Sequence, residues 1–138
     1  MARSILAVVV GYLLIGFLSF GADILMHAAR PAVYGAGGRL DHVPTLLVTI
    51  AYVAVIAILG CYITARLAPR NPMKHALILG VLGVVTQVAM WSIAWNSVPA
   101  WFHIVSLALV MPYAWIGGRI RERQLERSAQ ATPRAATA

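Results

Sequence analysis

Charged positions interrupt this chain rarely, and their spacing sets its architecture. Three stretches contain no Asp, Glu, Lys or Arg: Ser4 to Ala22, Val43 to Ala65, and His75 to Gly118. Each exceeds the eighteen or so residues that mark a membrane-span candidate. The third is long enough for two spans, and "WNSVPAW" (95–101) breaks it with Asn, Ser and Pro. The pattern predicts four transmembrane helices, at about 4–27, 44–67, 72–95 and 98–118. The expected fold is all-α, an integral membrane four-helix bundle occupying residues 1–128. A charged helical extension carries the last helix to 128, with Arg119 and Glu122, and Arg123 and Glu126, spaced to pair. Residues 129–138, rich in Ala and Thr, are expected to be a disordered cytoplasmic tail.

Local signals refine the ends. Asn71 followed by Pro72 reads as an N-cap with Pro at the first helical position. Ser97 is placed to cap the fourth helix, with Pro99 in its first turn, and Pro112 predicts a kink within it. "AARPAVYGAGGRLDH" (28–42) reads as a flexible loop. Its "GAGG" follows no strand and lacks the Lys-Ser/Thr ending of a phosphate cradle. Trp95 and Trp101 at one end, with Tyr62 and Trp115 at the other, suit aromatic belts.

Composition agrees with a lipid solvent. The chain is 61% hydrophobic and 11% charged, with a mean hydropathy of +0.81, too apolar for a soluble fold of 138 residues. The start has the basic flank of a signal peptide, but its apolar run outlasts an h-region, so the first helix is expected to be retained. The net charge of +7 follows topology rather than nucleic-acid binding. Arg3, the Arg66/Arg70/Lys74 loop and the arginines from Arg119 onward share one side, with only Arg30 and Arg39 opposite. The positive-inside rule then places both N and C termini in the cytoplasm, with the basic side against anionic lipid headgroups. Cys61 is the single cysteine, which rules out an intrachain disulfide or a CxxC motif. It reads as a small helix-packing residue.

Within the spans the polar groups gather. At 100° per residue, Tyr12, Gly16, Ser19, Asp23 and His27 share a wedge of roughly 80° on the first helix. Thr45, Thr49 and Tyr52 share a face of the second, Ala76, Gly80, Gly83, Gln87 and Trp91 a row on the third, and His103, Ser106, Tyr113 and Gly117 a looser row on the fourth. Topology puts the polar members toward the outer surface. The cytoplasmic half keeps small residues that permit close helix contact.

An ionisable group within a span is a functional candidate by default. Asp23 with His27 four residues on reads as a charge-assisted pair, serving either a structural tie or the passage of protons or binding of a cation. Gln87, His103, Ser19 and Tyr12 are the further candidates for that site. His27, His42 and His103, with Asp23 or Asp41, are weak candidates for a metal site of three histidines and a carboxylate, and His27 with His103 for haem ligation. No cofactor is otherwise called for. Catalysis has little to build on: there is no Ser/His/Asp spacing, no carboxylate cluster and no phosphate clamp.

"GCYITARLAPRNPMKHALILGVLG" (60–83) and "PYAWIGGRIRE" (112–122) together resemble a group of small four-helix bacterial inner-membrane proteins. The resemblance implies a four-span fold in a bacterial inner membrane. No activity attaches to that group, so no functional residue carries over. Small multidrug exporters also have four spans, but carry a membrane-embedded glutamate in the first helix, whereas Asp23 lies much nearer the exit. The sequence is therefore read as a non-catalytic subunit or structural partner in a membrane assembly, homo-oligomeric or joined to another membrane protein. The alternative is a small proton- or cation-coupled transporter or channel.

Overall fold

The structure, a computed structural model, describes residues 2–34 and 39–135. These form α1 (Ala2–Ala29), the single turn α2 (Pro31–Tyr34), α3 (Val43–Leu67), α4 (Pro72–Ala94), a 3-10 turn (Trp95–Ser97) and α5 (Ala100–Ala135). Among the described residues there is no strand. α1, α3, α4 and α5 are each long and apolar enough to cross a membrane, as the charge-free stretches require.

The ends differ from expectation in ways the backbone explains. Asn71 holds the N-cap position of α4 in the left-handed region (φ 49°, ψ 66°), which Asn tolerates better than most residues. Its side chain makes no cap bond. Its carbonyl instead accepts the Lys74 N–H (3.1 Å) and the His75 Nδ1–H (3.1 Å). Ser97 does not cap α5 either. It lies in the 3-10 turn, and its carbonyl accepts the Leu40 N–H at 2.8 Å, tying the α2–α3 connection to the α4–α5 turn. Pro99 stands just before the helix, and its carbonyl accepts the N–H groups of Phe102 (3.0 Å) and His103 (3.4 Å).

α5 is continuous through Pro112 and passes residue 128, where the sequence reading ends its helical extension, to reach Ala135. Ala129, Ala131 and Ala135 favour this, alanine being the best helix former. Of the two expected pairs, Arg119 Nη1 meets Glu122 Oε2 at 3.3 Å, with the guanidinium 5.8 Å from the Trp115 ring. Arg123 and Glu126 form no ion pair among the described residues. Residues 136–138 of the expected tail lie outside the described residues.

α5 packs against both α3 and α4, while α1 leans mainly on α3 and more lightly on α4. The helices alternate in direction, which gathers the basic residues at one end of the bundle. That end is tightly packed: Ala7, Cys61, Ala65, Ala76, Leu79 and Ala114 are all buried there. The small side chains let backbones approach closely. A methyl added at Gly117 would lie 2.7 Å from the Ile58 carbonyl oxygen. The opposite end is held by buried Thr45, Leu46 and His103. Between the two ends the bundle is hollow.

Candidate functional site: a central cavity between four helices

The hollow is a cavity of about 680 Å³, within the range of small-molecule sites, and all four long helices line it. Its position follows from the helical periods. Tyr12, Gly16, Ser19 and Asp23 recur every three or four residues on α1, so one stripe turns inward over about 16 Å of helix at 1.5 Å per residue. On α4 the row Gly80, Gly83 and Gln87 does the same, and the two glycines let α5 come close: an added Cβ would lie 2.7 Å from Ala114 Cβ at Gly80 and 3.2 Å from Val110 Cγ1 at Gly83. α3 contributes Thr49 near the far end, and α5 contributes Ser106 and Tyr113. Cys61, Leu79 and Gly80 also line the cavity, and behind them lies the packed basic end.

Asp23 is the single charged residue lining the cavity. Its Oδ1 accepts a hydrogen bond from the Tyr52 hydroxyl of α3. Deeper in, Thr86 Oγ1 donates to the Leu82 carbonyl (2.9 Å), which leaves it to accept the Tyr12 hydroxyl proton across the α1–α4 gap (2.8 Å). Four polar lining side chains, Ser19, Gln87, Ser106 and Tyr113, make no hydrogen bond to any described residue. All four are half-buried at the cavity wall, where a guest or water can satisfy them.

Of the six candidate residues read from the sequence, Tyr12, Ser19, Asp23 and Gln87 come together on this cavity, and His27 and His103 do not. The expected Asp23–His27 side-chain pair is not formed. His27 Nδ1 donates to the backbone carbonyl of Asp23 (2.8 Å), as a residue one turn along a helix readily does. Its ring lies 3.9 Å from that of Tyr34 in α2. His103 is buried in an aromatic box, stacked on Trp95 (4.9 Å, 7°) and edge-on to Trp91 (5.2 Å), with Nε2–H donating to the Trp95 carbonyl at 3.1 Å. It holds the far end together.

The metal reading fares similarly. His42 Nδ1 is bonded to Thr45 Oγ1 (2.8 Å) and Asp41 is paired with Arg39 (2.9 Å). Among the described residues no three His, Cys, Asp or Glu side chains converge. His103, one face stacked on Trp95, Trp91 edge-on to it and its Nε2 engaged, is not presented to a haem.

Two residues of the site were not singled out in the sequence. Tyr52 was visible only as a member of the Thr45/Thr49 face, and its tie to Asp23 depends on how α1 and α3 are rotated. Thr86 lies beside Gln87, about 100° off the polar row, and carried no signal apart from its hydroxyl. No protein-family model, curated protein or solved structure matches the chain.

Proposed function

We propose that the chain is a small membrane carrier for positive charge, coupled to protons or a cation, with Asp23 as its charge-holding residue. The carrying observation is the cavity, which pairs one carboxylate with four polar side chains that the protein itself leaves unpartnered. A purely structural role for Asp23 accounts for its Tyr52 bond but leaves Ser19, Gln87, Ser106 and Tyr113 without a purpose. In the proposed setting the four long helices span a bacterial inner membrane, with both termini and the basic end in the cytoplasm. The supports are the charge bias and the sequence resemblance. The carboxylate then stands toward the outside.

The test is reconstitution in liposomes with an internal pH dye and an imposed membrane potential. Wild-type protein is expected to pass protons faster than empty liposomes. Asp23→Asn, which keeps a hydrogen-bond acceptor for Tyr52, is expected to assemble normally and lose that flux. Flux in the variant equal to wild type sinks the proposal.

A second reading, a non-catalytic subunit that packs against another membrane protein or a second copy, draws on a shallow groove on the outer face of α4. Met73, Leu77, Ile78, Val81 and Leu82 line it, with Lys74 at its basic end. Native mass spectrometry of gently extracted protein separates the readings, since a stable partner adds protein mass.

A further inference from the structure

We infer that the guest of the central cavity is an amphipathic organic cation of drug-like size, its positive centre against Asp23 and its apolar body along α3 and α5. The inference rests on the carrier reading and names its cargo.

Charge sets the first constraint. The cavity is lined by one formal charge, Asp23, and by no Lys, Arg or His. Asp23 is exposed, with only the Tyr52 hydroxyl against one of its oxygens, so a neutral lipophile seated there would strip its water without replacing it, and an anion would add repulsion. Oδ2 takes no hydrogen bond from a described residue and is open to a cationic partner.

Coordination sets the second. A bare metal cation of the hard kind takes six or more oxygen ligands, or keeps its waters. Asp23 is the single carboxylate of the cavity, and among the described residues no three His, Cys, Asp or Glu side chains converge to build such a shell. Size sets the third: a proton needs no volume, yet about 680 Å³ is hollow. The walls around it, Phe20, Ile50, Val53, Met90, Phe102 and Val110, are apolar and carry two aromatic rings. Such walls suit a hydrocarbon body, and aromatic faces attract a desolvated cation that is not itself strongly hydrated. Gln87 and Ser106, deeper than Asp23, then offer a donor and acceptors to a polar substituent on the guest.

The probe is tetraphenylphosphonium, with tetraphenylborate as its match in shape and opposite in charge. Equilibrium dialysis against the purified protein in dodecylmaltoside, with protein-free micelles subtracted, is expected to show saturable binding of one phosphonium per chain and none of the borate. Asp23→Asn is expected to weaken phosphonium binding at least tenfold. Gly16→Leu, placed where no atom lies within 4 Å of an added Cβ, puts a bulky side chain into the cavity one to two turns from Asp23 and is expected to weaken binding while the protein keeps its helical spectrum and elution volume. Equal saturable binding of both ions, or unchanged phosphonium binding in either variant, overturns the inference. Proton flux that persists without any phosphonium binding sinks the cargo and spares the carrier, whereas Asp23-dependent binding without flux spares the site and sinks the carrier.

Discussion

The same substitution, glycine to alanine, should have opposite effects at two positions of this bundle. At Gly117 on α5 an added Cβ would lie 2.7 Å from Cys61 Cβ, 2.7 Å from the Ile58 carbonyl oxygen and 2.9 Å from the Tyr62 nitrogen. Ordinary contact begins at 3.4 Å, so the shortfall is 3.4 − 2.7, or 0.7 Å. Two of the three atoms are backbone, which no rotamer change removes, and α5 must therefore move off α3. Overpacking of this kind costs about 1–3 kcal/mol, against about 1 kcal/mol returned by alanine's helix preference. With backbone atoms in the way the cost falls in the upper part of that range, about 2–3 kcal/mol, so Gly117→Ala should lose about 1–2 kcal/mol on balance. At Gly16 on α1 nothing lies within 4 Å, so only the helix preference acts, and Gly16→Ala should be neutral or gain up to about 1 kcal/mol.

Cys61 makes the difference measurable. It is the single cysteine, 3% exposed, and sits directly under Gly117. Its labelling by a maleimide in detergent reports the population in which α3 and α5 have parted, provided reclosing is fast. A loss of 1–2 kcal/mol raises that population about 5- to 30-fold, so Gly117→Ala should label faster by that factor and Gly16→Ala no faster than wild type. Equilibrium unfolding in mixed micelles, followed by tryptophan fluorescence, gives the same ordering independently of the thiol. If Gly117→Ala labels at the wild-type rate, or Gly16→Ala is destabilised as much, the close approach of α3 and α5 is wrong.

Two further predictions concern the hydrogen bonds that frame the cavity. A double-mutant cycle of Tyr12→Phe with Thr86→Val should give a coupling of about 0.6 kcal/mol, the average for side-chain hydrogen bonds between helices in membrane proteins. Zero coupling would mean that α1 and α4 do not meet there. His103→Phe keeps the stacked ring but removes the donor to the Trp95 carbonyl, and should cost about 1 kcal/mol of unfolding free energy. A variant as stable as wild type would show that the aromatic box holds by ring contact alone.

Periodicity made much of this fold readable, and its limits account for what was missed. The four helices follow from where Asp23, Arg66, Lys74 and Arg119 interrupt apolar runs and from Asn96, Ser97 and Pro99, which split the longest run in two, signals that need no tertiary information. The inward stripe of Tyr12, Ser19 and Asp23 followed from a 100° turn per residue, and Gln87 from the glycine row of α4. His27 failed for a local reason: it shares the stripe, but a ring four residues on meets the backbone carbonyl of Asp23 sooner than its carboxylate. His103 failed for a tertiary one, because sharing a helix face with Ser106 does not reveal that Trp91 and Trp95 close over it. The cap of α4 was legible in position but not in mechanism, and that of α5 in neither, since Ser97 lies in the 3-10 turn before it. Asn71 and Ser97 both stand at chain reversals, yet each serves through its carbonyl rather than its side chain.

The two ends of the cavity are held by different kinds of force, and this bears on how a carrier would work. At the far end the bonds are directional: Leu40 to Ser97, His103 to Trp95, His42 to Thr45. At the basic end Cys61, Ala65, Ala76, Leu79 and Ala114 meet through small apolar surfaces, and Thr64 Oγ1, in the same helix turn as Cys61 and Ala65, is buried without a hydrogen-bond partner. Where these helices part within the bilayer of the proposed setting, they expose apolar surface to an equally apolar solvent and lose mainly van der Waals contact. Each pair of atoms supplies only about 0.1–0.2 kcal/mol of that contact, and alanines and glycines supply few pairs. The floor of the cavity is thus the cheaper end to open. The wild-type labelling rate of Cys61, which lines that floor, measures how often it does.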